Sequence, residues 1–347
     1  MKNEKYLSLD GLKAFSALLI VAAHIVFEPE YSVCSDSVSN GIVFFGQLVY
    51  LFMILSAFGM CCGYYERFKN KEVSLDSFYK KRYVRILPFF AILVFIELAY
   101  TFFKQHFLWD ETMAGALKES IADLTLAFGF LPNAHHIGIV GVGWFLGLIF
   151  VFYMLFPFFV FLLDNKKRAW KVFGICLVLS WLTSSYFSTP EWVVSPNWRD
   201  NILVSSPYFI GGGILYLYRF DLQKLIKGKT HKALGVLITG YAVLFFWNHL
   251  YSHQIYVAVL LFLCSIYAVT HEGKGILNNR VVSFLSGISF EIYLCHMMFL
   301  RAVGLLRLER HICDRNILTI ITYGLVIALS IVFSVTYKKI ERRIIHK

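Results

Sequence analysis

Apolar runs of about twenty residues recur along this 347-residue chain, each long enough to cross a bilayer as a helix. In lipid a spanning segment must satisfy its own backbone hydrogen bonds, and a helix does so without any partner. Ten such segments are expected, at 8–26, 41–65, 83–104, 143–163, 169–187, 202–219, 232–250, 254–270, 282–300 and 316–338. Composition agrees: 58% of residues are hydrophobic and only 16% charged, where a soluble domain carries about a quarter. Mean hydropathy is +0.63. The expected fold is all-α, a polytopic membrane bundle of about ten helices. It forms a single membrane-embedded domain over 1–347, with no appended soluble domain.

The formal charge of +11 raises the question of a nucleic-acid partner, and the position of the cations answers it. Of the 33 lysines and arginines, 26 fall in 2–13, 67–85, 166–171, 219–232, 274–280 and 338–347. These are the alternate connections, counted from the N-terminus. By the positive-inside rule they face the cytoplasm, as do both termini, and no nucleic acid is needed to explain the charge. The opposite set holds Lys104, Lys118, Arg199, Arg301, Arg307, Arg310 and Arg315. The four arginines between the last two spans depart from the rule. A cleaved signal peptide at the N-terminus would leave nine spans and upset this alternation. The seven cysteines show no metal-ligand spacing, so no metal is expected. Cys34 and Cys313 fall on outer connections, where a disulfide and free thiols are both open readings.

The longest outer connection runs over about 105–142. Leu117, Ile121, Leu124 and Phe128 recur there at helical spacing, which predicts a short interfacial or re-entrant helix over 116–130.

Ionisable side chains inside spans are costly, so each asks for a reason. Lys13 and His24 are eleven residues apart on the first span, three turns plus about 20°, hence on one face and ~16 Å apart along the axis. His24 suits proton transfer, because imidazole titrates near neutrality, and Lys13 suits an anion. Equally, Lys13 snorkels to headgroups and His24 bonds a neighbouring helix. Asp10 is placed to pair with Lys13 at i,i+3 or to cap the helix start; the cap is favoured. Arg82 and Arg85, also i,i+3, offer two guanidinium forks to a phosphate, against the ordinary reading of cytoplasmic anchoring. The ninth span carries Glu291 and His296, and His296 lies at about the depth of His24. Glu97 on the third span is a further intramembrane carboxyl. Gly211, Gly212 and Gly213 read as close helix packing, and Trp144 as part of an aromatic belt.

With these residues in place, the chain resembles the acyltransferase-3 family of integral membrane acyltransferases. "DGLK…H" matches the family's opening, with Lys13 where arginine is usual and ten residues between it and His24. "FFGQLVYLFMILSAF" (44–58), "RYVRILP" (82–88), "WFLGLIFVFYMLFP" (144–157), "GISFEIYLCH" (287–296) and "YKKIERR" (337–343) resemble its later elements in order. Ala57 stands where glycine is usual, and Ile149 and Phe150 where many members carry glutamate.

The resemblance implies transfer of an acyl group, most often acetyl, from cytoplasmic acyl-CoA to a hydroxyl of a cell-surface or extracytoplasmic glycan. It implies a multi-pass protein of a bacterial cytoplasmic membrane, bathed in membrane lipid. Some members append an extracytoplasmic hydrolase-like domain. Without one, the membrane domain acylates the acceptor directly or hands the acyl group to a separate extracytoplasmic partner. Lys13, Arg82 and Arg85 would hold CoA phosphates, His24 would act as general base or acyl carrier, and His296 would be a second participant. The rival reading is a proton-coupled transporter or flippase of a small or lipid-linked glycan substrate, which intramembrane His and Glu also suit.

Overall fold

The computed structural model describes residues 6–31, 36–106, 110–131, 137–186, 201–250, 253–271 and 273–345. Cys34, and the cations Lys2, Lys5, Arg199 and Lys347, lie outside the described residues. Twelve α-helices follow one another, and no strand occurs among the described residues. They are α1 (Leu7–Phe27), α2 (Asp36–Val43), α3 (Val49–Lys69), α4 (Leu75–Lys104), α5 (Glu111–Thr125), α6 (Trp144–Leu163), α7 (Lys166–Tyr186), α8 (Ile202–Leu225), α9 (Lys229–Trp247), α10 (Gln254–Thr270), α11 (Arg280–Gly304) and α12 (Arg315–Ile345). A helix occupies each of the ten expected segments. The protein is an all-α, polytopic membrane bundle.

Among the described residues, seven helical segments are long and apolar enough to cross a membrane: Leu7–Phe27, Val38–Lys69, Leu75–Lys104, Gly141–Leu163, Lys229–Trp247, Arg280–Gly304 and Arg315–Ile344. Gln254–Thr270 is apolar but shorter. The fifth and sixth expected spans became α7 and α8, whose apolar stretches are cut short by charge. Four cations fill the first turns of α7, and Arg219, Asp221 and Lys224 end α8.

Local chemistry moves several boundaries. The Ser74 hydroxyl accepts from the Ser77 N–H at 3.3 Å and starts α4 eight residues before the expected span. The second span is preceded by α2 and a 3-10 turn, Phe44–Leu48, so α3 itself begins only at Val49. The helix expected over 116–130 is α5, shifted toward the N-terminus. Asp110 caps it through the Met113 N–H at 3.0 Å, and Leu126, in the left-handed region at φ 57°, ends it. Its buried face is Met113, Ala116, Ser120 and Asp123, while Leu117 and Ile121 point outward. An outward apolar face suits the interfacial helix that the spacing predicted.

The helices form two compact units, one spanning Ser56–Leu217 and the other Glu4–Leu55 with Tyr218–Lys347. In the first, aromatic rings of α4, α6 and α8 form the core: Phe78 stacks on Phe156 at 5.7 Å and Phe152 on Phe209 at 4.3 Å. Gly211, Gly212 and Gly213 are buried in α8, and a Cβ on Gly213 would strike Phe159 and Leu163. Gly129 touches the backbone of Gly147 as closely, which presses the Ala127–Phe130 turn onto α6. Trp144 is buried beside Phe145 and belongs to this packing, not to a lipid-facing belt.

Asp123 pins the segment that leads into α6. Its side chain is fully buried and accepts the Val140 N–H at 3.0 Å, against a glycine, Gly138, with no room for a Cβ. Burial pushes its carboxyl up to about 7, only partly offset by the Val140 and Ile139 N–H groups.

In the second unit, α1, α11 and α12 pack on one another. Val21 and Ile25 of α1 meet Ile288, Ile292, Leu300 and Val303 of α11 and Leu318 and Val326 of α12 in one apolar cluster. The Tyr323 hydroxyl donates to the Leu18 carbonyl at 3.3 Å, and the Thr319 hydroxyl donates to the carbonyl of Tyr31. A Cβ on Gly11 would run into the Leu277 carbonyl, so the start of α1 rests on the turn before α11, backbone against backbone. Near the other end of α12, the Lys338 ammonium bridges Glu291 at 2.7 Å and Glu341 at 3.1 Å. Glu291 is almost fully buried, so this pair ties the middle of α11 to the end of α12.

Two outcomes follow from this packing. Gly11→Ala forces α1 off the Leu277 carbonyl and costs roughly 1–3 kcal/mol, seen as a lower unfolding temperature in detergent. For Asp123 the folded pKa lies above the unfolded value of 3.8, so its contribution is complete below that value and is lost as pH rises through about 7. Asp123→Asn should therefore flatten the pH dependence of thermal unfolding across that window, and an unaltered profile would contradict the assignment.

Candidate active site

His24 sits one turn before the end of α1, and His296 in the middle of α11. Gly11, Ala14 and Ala17 are buried on the side of α1 that carries Val21 and Ile25, and their small size lets α1 and α11 approach closely. The approach brings His24 Nδ1 to 3.0 Å from His296 Nε2, with ring centroids 5.0 Å apart and the planes inclined by 31°. His296 is wholly buried and His24 half-buried. His296 Nδ1 lies 2.6 Å from the Tyr293 carbonyl, one turn back on the same helix. Two imidazoles in direct contact inside a helical bundle can take up, hold and return a proton.

Lys13 lies in the same unit, eleven residues before His24 on the unbroken helix α1. Its ammonium pairs with Asp10 at 3.0 Å, and both side chains are about two-fifths exposed or less. The helix begins at Leu7 behind Tyr6, which leaves Asp10 inside the first turn. Asp10 is therefore the partner of Lys13, and the favoured reading of it as the cap is corrected.

Arg82 and Arg85 belong to the first unit, on α4, and differ in their surroundings. Arg82 is half-buried: Nη2 donates to the Tyr64 hydroxyl at 2.8 Å, Nη1 approaches Met60 Sδ at 3.5 Å, and the guanidinium lies over the Tyr64 ring at 4.9 Å. Phe78 and Tyr153 close the aromatic surround. Its Nε–H is buried and has no hydrogen-bond partner among the described residues. Arg85 is exposed. The i,i+3 spacing thus gives one caged guanidinium and one open to its surroundings. A buried donor left over on an otherwise engaged guanidinium suits an anionic oxygen.

Ile149 and Phe150 are buried, and Phe150 packs edge-on against Tyr83 at 4.6 Å between ring centroids. Packing has taken over these positions, and no carboxylate function resides there. Sequence reasoning did not single out the Tyr293 carbonyl or Lys338 as partners of the membrane-buried polar residues. The first was open to inference, since a histidine at i+3 from a helical carbonyl can fold back onto it. The second was not, because Glu291 and Lys338 are far apart in sequence and Lys338 read as one more cytoplasmic anchor.

A family model described as an acyltransferase domain, acyltransferase 3, matches residues 6–338 and so takes in Lys13, His24, Arg82, Arg85, Glu291 and His296. No curated protein and no solved structure matches the chain. With nearly its whole length matched and its apolar helices in the expected order, the chain belongs to the acyltransferase-3 family of integral membrane acyltransferases.

Proposed function

We propose that this protein transfers an acyl group, in the first instance acetyl, from cytoplasmic acyl-CoA to a hydroxyl of a cell-surface or extracytoplasmic glycan. The observation that carries the reading is the 3.0 Å contact between His24 and His296 inside the bundle. A transferase that acylates a hydroxyl needs a base for the hydroxyl proton and an acid for the departing thiolate, and one imidazole serves both in turn. His24, the more accessible of the two, is the catalytic base.

Lys13, Arg82 and Arg85 are the cations proposed to meet the phosphates of CoA. Their chemistry fits the donor: a partly exposed ammonium beside Asp10, a guanidinium with a buried N–H to spare, and an exposed guanidinium. From Lys13 to His24 the helix rises ~16 Å, a distance a pantetheine arm can bridge. The charge distribution supports ten spans with both termini in the cytoplasm, and the family supports a bacterial cytoplasmic membrane as the setting. The acceptor is reached on the outer side, directly or through a separate extracytoplasmic partner.

His24→Ala should lower acyl transfer by about 10²–10⁴-fold, the span that a positioned acid–base group contributes. The measurement is label incorporated into surface glycan from radiolabelled acetyl-CoA, in membranes of a deletion strain carrying each variant at matched abundance. Full transfer by His24→Ala would remove His24 from the mechanism.

A further inference from the structure

The contacts of the two histidines fix where their protons lie. A backbone carbonyl can only accept, so the 2.6 Å bond from His296 to the Tyr293 oxygen places a proton on His296 Nδ1. His296 is sealed from water, and Glu291, the carboxylate five residues before it on α11, is already engaged by Lys338 at 2.7 Å. No counter-charge on its own helix is left to hold an imidazolium, and the neutral ring carries its lone pair on Nε2. That lone pair lies 3.0 Å from His24 Nδ1 and can only accept there. His24 Nδ1 must then carry a proton, which leaves the His24 lone pair on Nε2.

We propose that His296 is a positioning residue, which holds His24 as its Nδ1–H tautomer so that His24 acts through Nε2. The Tyr293 carbonyl anchors the chain of bonds. This rests on the reading of His24 as the base. Nε2 of His24 takes the proton of the acceptor hydroxyl as the hydroxyl oxygen attacks the thioester carbonyl carbon. An ester bond forms, the carbon–sulphur bond breaks, and the same proton passes from Nε2 to the thiolate, which departs as the thiol of CoA. Throughout, the Nδ1–H of His24 keeps donating to the lone pair of His296 Nε2, and that bond stabilises the transient imidazolium. His296 neither gains nor loses a proton. Because both of its ring nitrogens are committed, it is not the carrier of the acyl group.

The test needs no acceptor. In protein labelled with ¹⁵N at histidine and reconstituted in lipid, wild type and His24→Gln are compared by solid-state NMR to identify the His24 signals. The expected spectrum has His24 protonated at Nδ1 and bare at Nε2. A His24 protonated at Nε2 instead would overturn the proposal. Substitution adds a second readout, using labelled acetyl-CoA and deletion-strain membranes. His296→Gln, whose side-chain oxygen can accept from His24, should keep the KM for acetyl-CoA and lose about tenfold in kcat. His296→Leu, which cannot accept, should lose about 10³–10⁴-fold, the scale seen when a catalytic histidine is held in the wrong tautomer. Equal inactivity of the two variants, with His24 still protonated at Nδ1 in both, would also overturn it. If His296→Leu does not fold, the wild-type spectrum still decides. Full transfer by His24→Ala beside the expected spectrum would sink the catalytic reading of His24 and leave the tautomer assignment standing.

Discussion

The close crossing of α1 and α11 is the constraint on which the second unit depends. A histidine carried into a lipid-embedded bundle must find a polar partner, and here each of two histidines finds the other. The meeting is possible because α1 presents glycine, alanine and serine to its neighbours, and because Gly11 lets its start rest on the backbone at Leu277. Removing either imidazole would strand the other's polar edge in an apolar interior. The same crossing therefore serves the fold and the proposed chemistry.

Around it, the polar groups of α11 are arranged on different sides of one helix. Glu291 turns to Lys338 of α12, and His296 turns to His24 of α1. Separating the charge pair from the imidazole pair keeps the histidines out of a salt bridge. A carboxylate next to His296 would favour the imidazolium and turn its Nε2 from acceptor to donor. In the proposed mechanism, the distance between these two pairs along α11 matters as much as the contact within each.

The helices were legible in the sequence because lipid leaves a long apolar run almost no alternative. Lys13 and His24 were legible as a pair because both lie on one helix, where phase arithmetic applies. The partnership of His24 with His296 was visible only as an equality of depth, since nothing in the spacing of one helix reports which neighbour it meets. The outward apolar face of α5 suits the interfacial helix expected there, but its buried face was not legible, for a related reason. Leu117 and Ile121 suit a membrane interface as well as a core, while Asp123 is buried because the backbone at Val140 needs an acceptor. Arg82 and Arg85 looked equivalent at i,i+3, and aromatic residues from other segments separated them.

The claim at the centre of this account is that the bundle carries an acyl group rather than a whole solute. Purified protein in oriented proteoliposomes, with labelled acetyl-CoA on the cytoplasmic side and the glycan acceptor on the other, measures this directly. The account predicts that label appears in the glycan, that thiol is released on the cytoplasmic side in equal amount, and that no glycan crosses. Movement of glycan across the membrane without consumption of acetyl-CoA would contradict it.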